Sequence, residues 1–313
     1  MLMVGYIPWR AGFPDCIEPR KRRAAGRWRT LQSGSQPRLF VAWAPSGMTR
    51  RIRNNLQVAF RLLEGGVTLG SVLLYPLRRR RSRNPENRIK LKSGISISSP
   101  AAEELLHPFE EIWIEGRYAP DGLGIPPGAT VVDVGANVGV FTLWAVKCNA
   151  ARVIAVEPSP RMCEYLSRNV SLNHFGNVTV VQAACGGRTG EAVLYSRGDE
   201  VLNTLYCRDV LGSEFRPLCR MPVLTLEDIF SRYGVETCHL LKLDCEGAEY
   251  DILLNTREDT LRRIQTIAME YHVGLNEHDP LELLSFLEAH GFKAEKTPLL
   301  DPEGGYLYAT RHP

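Results

Sequence analysis

Thr130-Val-Val-Asp133-Val-Gly135-Ala-Asn137-Val-Gly139-Val-Phe141, followed after a helical stretch by Arg152-Val-Ile-Ala-Val-Glu157-Pro158, carries the pattern that decides the fold. The order is an apolar strand, a glycine turn, a helix and a second apolar strand ending on an acid. Val131 and Val132 have the β-branched character of a strand buried on both faces, and Asp133 falls where that strand runs out. Gly135 and Gly139 bracket the turn. A residue without a Cβ lets the backbone bend sharply and a ligand approach it, while the following helix aims its free N–H groups at that ligand. Glu157 lies eighteen residues beyond Gly139, at the strand tip where a doubly wound sheet reads a ribose diol.

What the turn lacks selects the nucleotide. A dinucleotide fingerprint, Gly-x-Gly-x-x-Gly, needs a second glycine where a pyrophosphate touches the backbone, and that position is Asn137. Asp133 would repel a phosphate but suits the ammonium of an amino-acid moiety. These features point to S-adenosylmethionine rather than NAD, with Asp133, Gly135, Asn137 and Gly139 around its methionine part and Glu157 on its ribose.

The net charge of +3 conceals a division. Residues 1–92 hold 20 Lys+Arg against 4 Asp+Glu, leaving 18 against 31 for residues 93–313. The chain is therefore expected to consist of a basic N-terminal extension, residues 1–87, and an acidic domain, residues 88–313. Such an extension favours anions, lipid head groups or nucleic acid. Residues 1–47 show no sustained period, and Met48-Thr-Arg-Arg-Ile-Arg offers an alternative start. Residues 56–77 are mostly apolar and lead into Arg78–Arg81 and Arg83, but Arg61, Glu64 and Gly65-Gly66 interrupt them. The stretch is too broken to span a bilayer, and a surface-lying helix on an anionic membrane is the expectation. The eight cysteines form no Cys-x-x-Cys pair and are read as reduced, with the cytoplasm, or the inner membrane face, as compartment. No signal peptide is recognised at the start.

From residue 89 onward the elements alternate: a strand pair in 90–98, an acidic amphipathic segment over 101–114 that with Tyr118-Ala-Pro-Asp121 is expected to form a lid, strands ending at Asp133, Glu157, Ala183, Asp244 and His272, and two lesser strands over 191–196 and 221–226. Ser159-Pro160, Thr225 and Asp279-Pro280 are helix-start signals, and segments 293–297 and 305–310 suggest a closing antiparallel hairpin. The pattern gives a Rossmann-like α/β fold, mostly parallel, with helices on both faces. Ligands of such sheets bind outside the carboxyl ends of the strands. The third tip, Ala183-Ala184, is apolar and suits an adenine face, with Ala184 as a contact. At the fourth, Leu-Leu-Lys242-Leu-Asp244-Cys-Glu246-Gly-Ala-Glu249, Lys242 and Asp244 share a face and can pair to hold the tip rigid. Asp244, His272 and Lys242 are the expected catalytic set near the acceptor, with His272 the natural proton acceptor. No metal is required, although Asp244, Glu246 and Glu270 form a set able to ligate magnesium.

Five ordered motifs, residues 133–143, 156–160, Arg168-Asn169 with Leu172-Asn173, 241–249 and Glu270-Tyr-His272, together resemble the FkbM-type S-adenosylmethionine-dependent methyltransferases. Cys245 stands where that family usually has an aliphatic residue or threonine. The resemblance implies a class I methyltransferase fold and O-methylation of hydroxyls on sugars, polyketides or lipid-linked glycans. The alternatives are an NAD-dependent oxidoreductase, which the missing glycine disfavours, and an RNA-directed methyltransferase using the basic arm. Against the latter, no Asn-Pro-Pro-Tyr-type segment follows the fourth strand and few aromatics interleave with the arm's arginines, so no specific nucleic acid is expected.

Overall fold

Alternate residues of the central strands enter opposite cores. The computed structural model describes residues 58–72, 87–120, 123–196, 203–204, 216–275, 277–297 and 304–311. The parallel strands are β3 (Thr130–Val134), β4 (Arg152–Glu157), β5 (Val178–Gln182), β10 (Leu240–Leu243) and β11 (Thr266–His272). Val132, Val134, Ile154, Val156, Leu241, Leu243, Ile267 and Met269 face one core, and Val131, Val153, Leu240 and Ala268 the other. Both faces being covered explains why these strands read as continuous apolar runs. The sheet closes with β12 (Lys293–Lys296) and β13 (Gly304–Thr310), giving the order β12-β13-β11-β10-β3-β4-β5. Strand order reverses between β3 and β10, the switch point at which such sheets bind ligands.

The first core lies under α4 (Leu226–Arg232), α5 (Glu249–Leu254), α6 (Glu258–Leu261) and α7 (Pro280–Ala289). Thr225 caps α4 in a capping box whose partner is Asp228, and Asp279 caps α7 through the Leu281 N–H. The second core is covered by α1 (Glu103–Phe109), the π-helical turn Glu110–Ile114 and α2 (Val140–Lys147). Pro108 lies inside α1, and the 101–114 segment, expected as one amphipathic element, changes to π geometry just beyond that proline. Trp113 stacks on Phe109 and its Nε1–H donates to the Val140 carbonyl at 3.2 Å.

Strands β1 (Asn87–Lys90) and β2 (Ser96–Ser99) form an antiparallel pair at the edge of this layer. Two asparagines of α3 (Pro160–Leu172) and its C-cap hold it. Buried Asn169 accepts from the Ser98 N–H and hydroxyl and donates to the Ser98 and Val138 carbonyls, and Asn173 exchanges bonds with Ser96. These asparagines thus join the strand pair to the glycine turn. The two lesser strands are found as β7 (Gly190–Ser196) and β9 (Arg216–Leu224), which with β6 (Ala184–Cys185) and β8 (Asn203–Thr204) form a separate four-stranded sheet of order β6-β9-β7-β8.

Part of the expected N-terminal extension belongs to the second core. Residues 58–64 are helical, Leu62 and Val67 are buried with Phe109, and Arg61 pairs with Glu110 and Glu115. Val58, Phe60 and Leu69 stay exposed. Residues 1–57 and the Arg78–Arg83 run lie outside the described residues. Among the described residues, no helix is long and apolar enough to cross a membrane, and the described cysteines are free thiols.

Candidate active site

A cleft of roughly 690 Å³, open solvent included, runs along the carboxyl ends of β3, β4 and β10. Its walls include Gly135, Asn137, Glu157, Ala184, Asp244 and Glu246, with Met162 and Leu194 among its apolar parts. Of the six residues expected to hold the cofactor, Gly135, Asn137, Glu157 and Ala184 line it.

Glu157 is fixed from two sides: Oε1 accepts the Ser159 N–H and Oε2 the Asn137 N–H, each at 2.8 Å. Burial pushes its pKa up to about 7, against the pull of those two N–H groups. Asn137 occupies the left-handed region at φ 48°, which an asparagine tolerates better than most residues. Its Nδ2–H donates to Glu104 at 2.7 Å, while its buried Oδ1 has no hydrogen-bond partner. An orphaned acceptor and an anchored carboxylate on the walls of one cleft fit a polar, hydroxylated ligand such as a nucleoside.

Asp133 and Gly139 serve the scaffold instead. Asp133 is fully buried beneath the cleft, where it accepts from the Thr142 hydroxyl at 2.6 Å and pairs with Lys242 at 3.3 Å. Lys242 is its direct neighbour across the β3–β10 register, which is why the pair meets. Asp133 thus lies in the floor, paired with a lysine, and is not among the residues that line the cleft. Gly139, at φ 91°, caps α2, and a Cβ there would lie 2.5 Å from Leu166. Gly135 accommodates a close approach by protein rather than ligand, since its Cβ would stand 1.7 Å from the Asp244 carbonyl oxygen.

Lys242 organises the fourth tip. Its Nζ donates to the Gly135 carbonyl at 2.7 Å and pairs with Asp244 at 3.4 Å as well as with Asp133. Burial opposes its charge, but Asp244 and Asp133 outweigh burial and raise its pKa above the ordinary value. It therefore keeps its proton and acts as a strut, consistent with the expected pairing and not with proton transfer. Burial also works against the Asp244 charge, yet Lys242, His272 and the Tyr118 hydroxyl hold that carboxyl below its usual range.

Above the tips, the segment expected as a lid contributes Tyr118. Its hydroxyl donates to Asp244 at 3.0 Å and stands 3.3 Å from Glu270, which also lies 3.4 Å from the Tyr306 hydroxyl. Burial and then the charge of Asp244 push the Glu270 carboxyl up to about 8. His272 is placed with Asp244, as expected. Its Nδ1 lies 3.2 Å from Glu249 and its Nε2 3.6 Å from Glu246. Burial works against the imidazolium, but Glu249, Glu246 and Asp244 prevail and hold the ring at about 11.

Tyr118, Glu104 and Glu249 complete the site without having been named as site residues from sequence, and Glu270 joins it having been offered only as a possible magnesium ligand. Glu270 and Glu249 were visible as strand-tip and helix-start acids. Glu104 and Tyr118 come from a covering layer whose docking no local pattern encodes.

This arrangement defines a class I methyltransferase, and comparison gives the family. The Methyltransferase FkbM domain model matches residues 133–294, so the chain belongs to the FkbM methyltransferase family and its cofactor is S-adenosylmethionine. The oxidoreductase alternative is thereby replaced. The AMB antimetabolite synthetase AmbE of Pseudomonas aeruginosa is 27% identical over 270 residues; the match covers 71% of this chain and spans only 12% of that protein's length. The 31-O-demethyl-FK506 methyltransferase FkbM of Streptomyces tacrolimicus is 28% identical over 241 residues, covering 67% of this chain and 91% of its own. A solved structure, methyltransferase FkbM from Methylobacillus flagellatus KT, aligns over 83% of this chain and 60% of its own with TM-score 0.45 and 17% identity.

Proposed function

We propose that this methyltransferase acts on oxygen, methylating a hydroxyl of a sugar, glycan, glycolipid or polyketide-type acceptor. The observation that carries the reading is the cluster at the β10 and β11 tips. Asp244, with 30% of its side chain exposed, opens onto the cleft, while Lys242 and Tyr118 fix it from behind. When bound, S-adenosylmethionine supplies a methyl group on a sulfonium that leaves with its bonding pair on sulfur. Asp244 accepts the acceptor's O–H and directs an oxygen lone pair into the cleft, an alignment that supplies much of the rate in an in-line displacement. Tyr118 connects Asp244 to Glu270, so the hydroxyl proton has a route along the tips. The name of the Streptomyces relative supports an alcohol acceptor. Incubation with methyl-tritiated cofactor and a panel of hydroxylated macrolides, glycolipids and free sugars should label an ether oxygen in at least one. Label confined to nitrogen or carbon acceptors overturns the assignment.

Glu157 gives the cofactor site a pH signature. The folded-state pKa is raised to about 7, with Glu104 and Lys242 the charged groups acting on it besides the backbone donors. Above that value the carboxylate accepts ribose hydroxyls; below it the acid does so poorly. Calorimetric affinity for S-adenosylmethionine should fall as pH drops below about 7, by up to about tenfold per unit. In Glu157→Gln the profile should flatten, and a flat wild-type profile would remove Glu157 from the ribose.

Contact with an anionic membrane is the partner reading. Exposed Val58, Phe60 and Leu69 precede the Arg78–Arg83 run, and basic side chains at such a surface contribute about 1 kcal/mol each. Removing residues 1–86 would also strip Leu62 and Val67 from the core, so the informative variant replaces Arg78–Arg81 and Arg83 with glutamine. Wild type should sediment with phosphatidylserine vesicles and be released by salt, and the variant should stay in solution. Equal sedimentation by both sinks the idea.

A further inference from the structure

Glu270 belongs to the set that sequence alone offers for magnesium, but the structure turns it toward two tyrosines and brings His272 to Asp244 and Glu246 instead. Asp244, Glu246 and His272 each present a ligand atom, and all these atoms lie within 4.8 Å of one another. The His272 Nε2 faces Glu246 at 3.6 Å. Its Nδ1 faces Glu249 at 3.2 Å, and Glu249 is fully buried, accepts the Cys245 N–H at 2.6 Å through the same oxygen, and has no hydrogen-bond partner on the other. A buried carboxylate on the far ring nitrogen is the arrangement that orients a metal-ligating histidine, fixing the tautomer and leaving Nε2 for the ion.

The backbone agrees. Glu246 stands at φ 52° beside Gly247 at φ 101°. A left-handed glutamate costs on the order of 1 kcal/mol or more and persists where the surroundings enforce it, most often at functional sites. Here the kink turns Glu246 back toward the tip of β11 instead of letting it run into α5. Charge points the same way: Asp244, Glu246 and Glu249 surround one imidazole, and the nearby lysine is already shared between Asp133 and Asp244. Exposure grades from 12% for His272 to 32% for Glu246, so three ligands from the protein leave coordination positions open to the cleft.

We infer that Asp244, Glu246 and His272 bind one divalent cation, of manganese type, at the mouth of the cleft, where the open positions take the acceptor's hydroxyl oxygen. Two carboxylates with one imidazole suit Mn²⁺ better than a thiolate-seeking ion or an all-oxygen magnesium site. The inference rests on the hydroxyl reading above and deepens it. The cation acidifies the bound hydroxyl; the O–H bond breaks with its electron pair kept on oxygen, and the proton passes to solvent or to a tip carboxylate.

The test uses the full chain, stripped with EDTA and titrated with Mn²⁺ by electron paramagnetic resonance. About one ion per chain is expected, with Glu246→Gln and His272→Gln each weakening it by roughly tenfold or more and Glu249→Gln by roughly ten- to a hundredfold. Calorimetry on the metal-free proteins should show S-adenosylmethionine affinity within a few fold of wild type, which reports an intact fold. No Mn²⁺ bound by wild type at millimolar concentration, or equal binding by wild type and all three variants, overturns the site. Metal-free enzyme that methylates hydroxyls at the full rate overturns the cation's role and leaves O-methylation standing.

Discussion

Lys242→Met should destabilise the fold by about 3–5 kcal/mol, the cost of removing one partner from a buried ion pair. The lysine holds Asp133 and the Gly135 carbonyl beneath the cleft, and Asp133 has no other cation within ion-pair distance among the described residues. Methionine matches the length of the stem but leaves a carboxylate stranded in the sheet. The double variant Lys242→Met/Asp133→Asn removes both charges together, so it should recover roughly 1–3 kcal/mol relative to the single variant. Urea midpoints for wild type, both singles and the double give the coupling. If Lys242→Met unfolds at the wild-type midpoint, or if the double shows no recovery, the pair does not hold the tip.

The same pair shows how far sequence reading reaches. Two residues apart on a strand, Lys242 and Asp244 announce a shared face because the strand period is two. That Asp133 is the second partner depends on β10 lying beside β3, and no local pattern specifies which of the parallel strands are neighbours. Asp133 was accordingly read as a ligand contact, and the pairing register converts it into part of the floor. The central sheet was legible because its strands are continuous β-branched or leucine runs separated by capped helices. The strands β7 and β9 were also read, but not their pairing in a separate sheet, because both are half-exposed and no local pattern fixes their partners.

The geometry around the glycine turn and the β4 tip was more legible than that at the β10 and β11 tips. Gly135, Asn137 and Glu157 come from one βαβ unit, so their geometry is set within a short stretch of chain. The cluster at the β10 and β11 tips draws on β10, β11, β13 and the layer over residues 103–118, brought together only by long-range packing. His272 illustrates the difference. Its residue type suggests a proton acceptor, but the three carboxylates that surround it come from the β10–α5 turn and α5, and no local pattern around residue 272 announces them. Residues 58–72 were assigned to the extension on the arginines around them, although Leu62 and Val67 pack like any core side chains.

Asp244→Asn should lower methyl transfer by roughly a hundredfold or more, equivalent to about 2.7 kcal/mol of transition-state stabilisation, while cofactor affinity stays within a few fold. The carboxylate has three tasks in the ground state, accepting from Tyr118, pairing with Lys242 and facing the cleft. An asparagine of the same shape keeps the backbone Asp244 N–H on the Val134 carbonyl and the contact with Gly135, so the cofactor turn is undisturbed. What it loses is the charge that orders the acceptor hydroxyl and favours departure of its proton. Asn at this position also presents an N–H₂ toward either Lys242 or the acceptor, a donor where an acceptor is needed. Tyr118→Phe makes the control: it removes one hydrogen bond to Asp244 without removing the charge, so its loss should be smaller than that of Asp244→Asn. Single-turnover rates for the two variants separate the cases. If Asp244→Asn transfers methyl at the wild-type rate, the acceptor does not approach through the β10 tip.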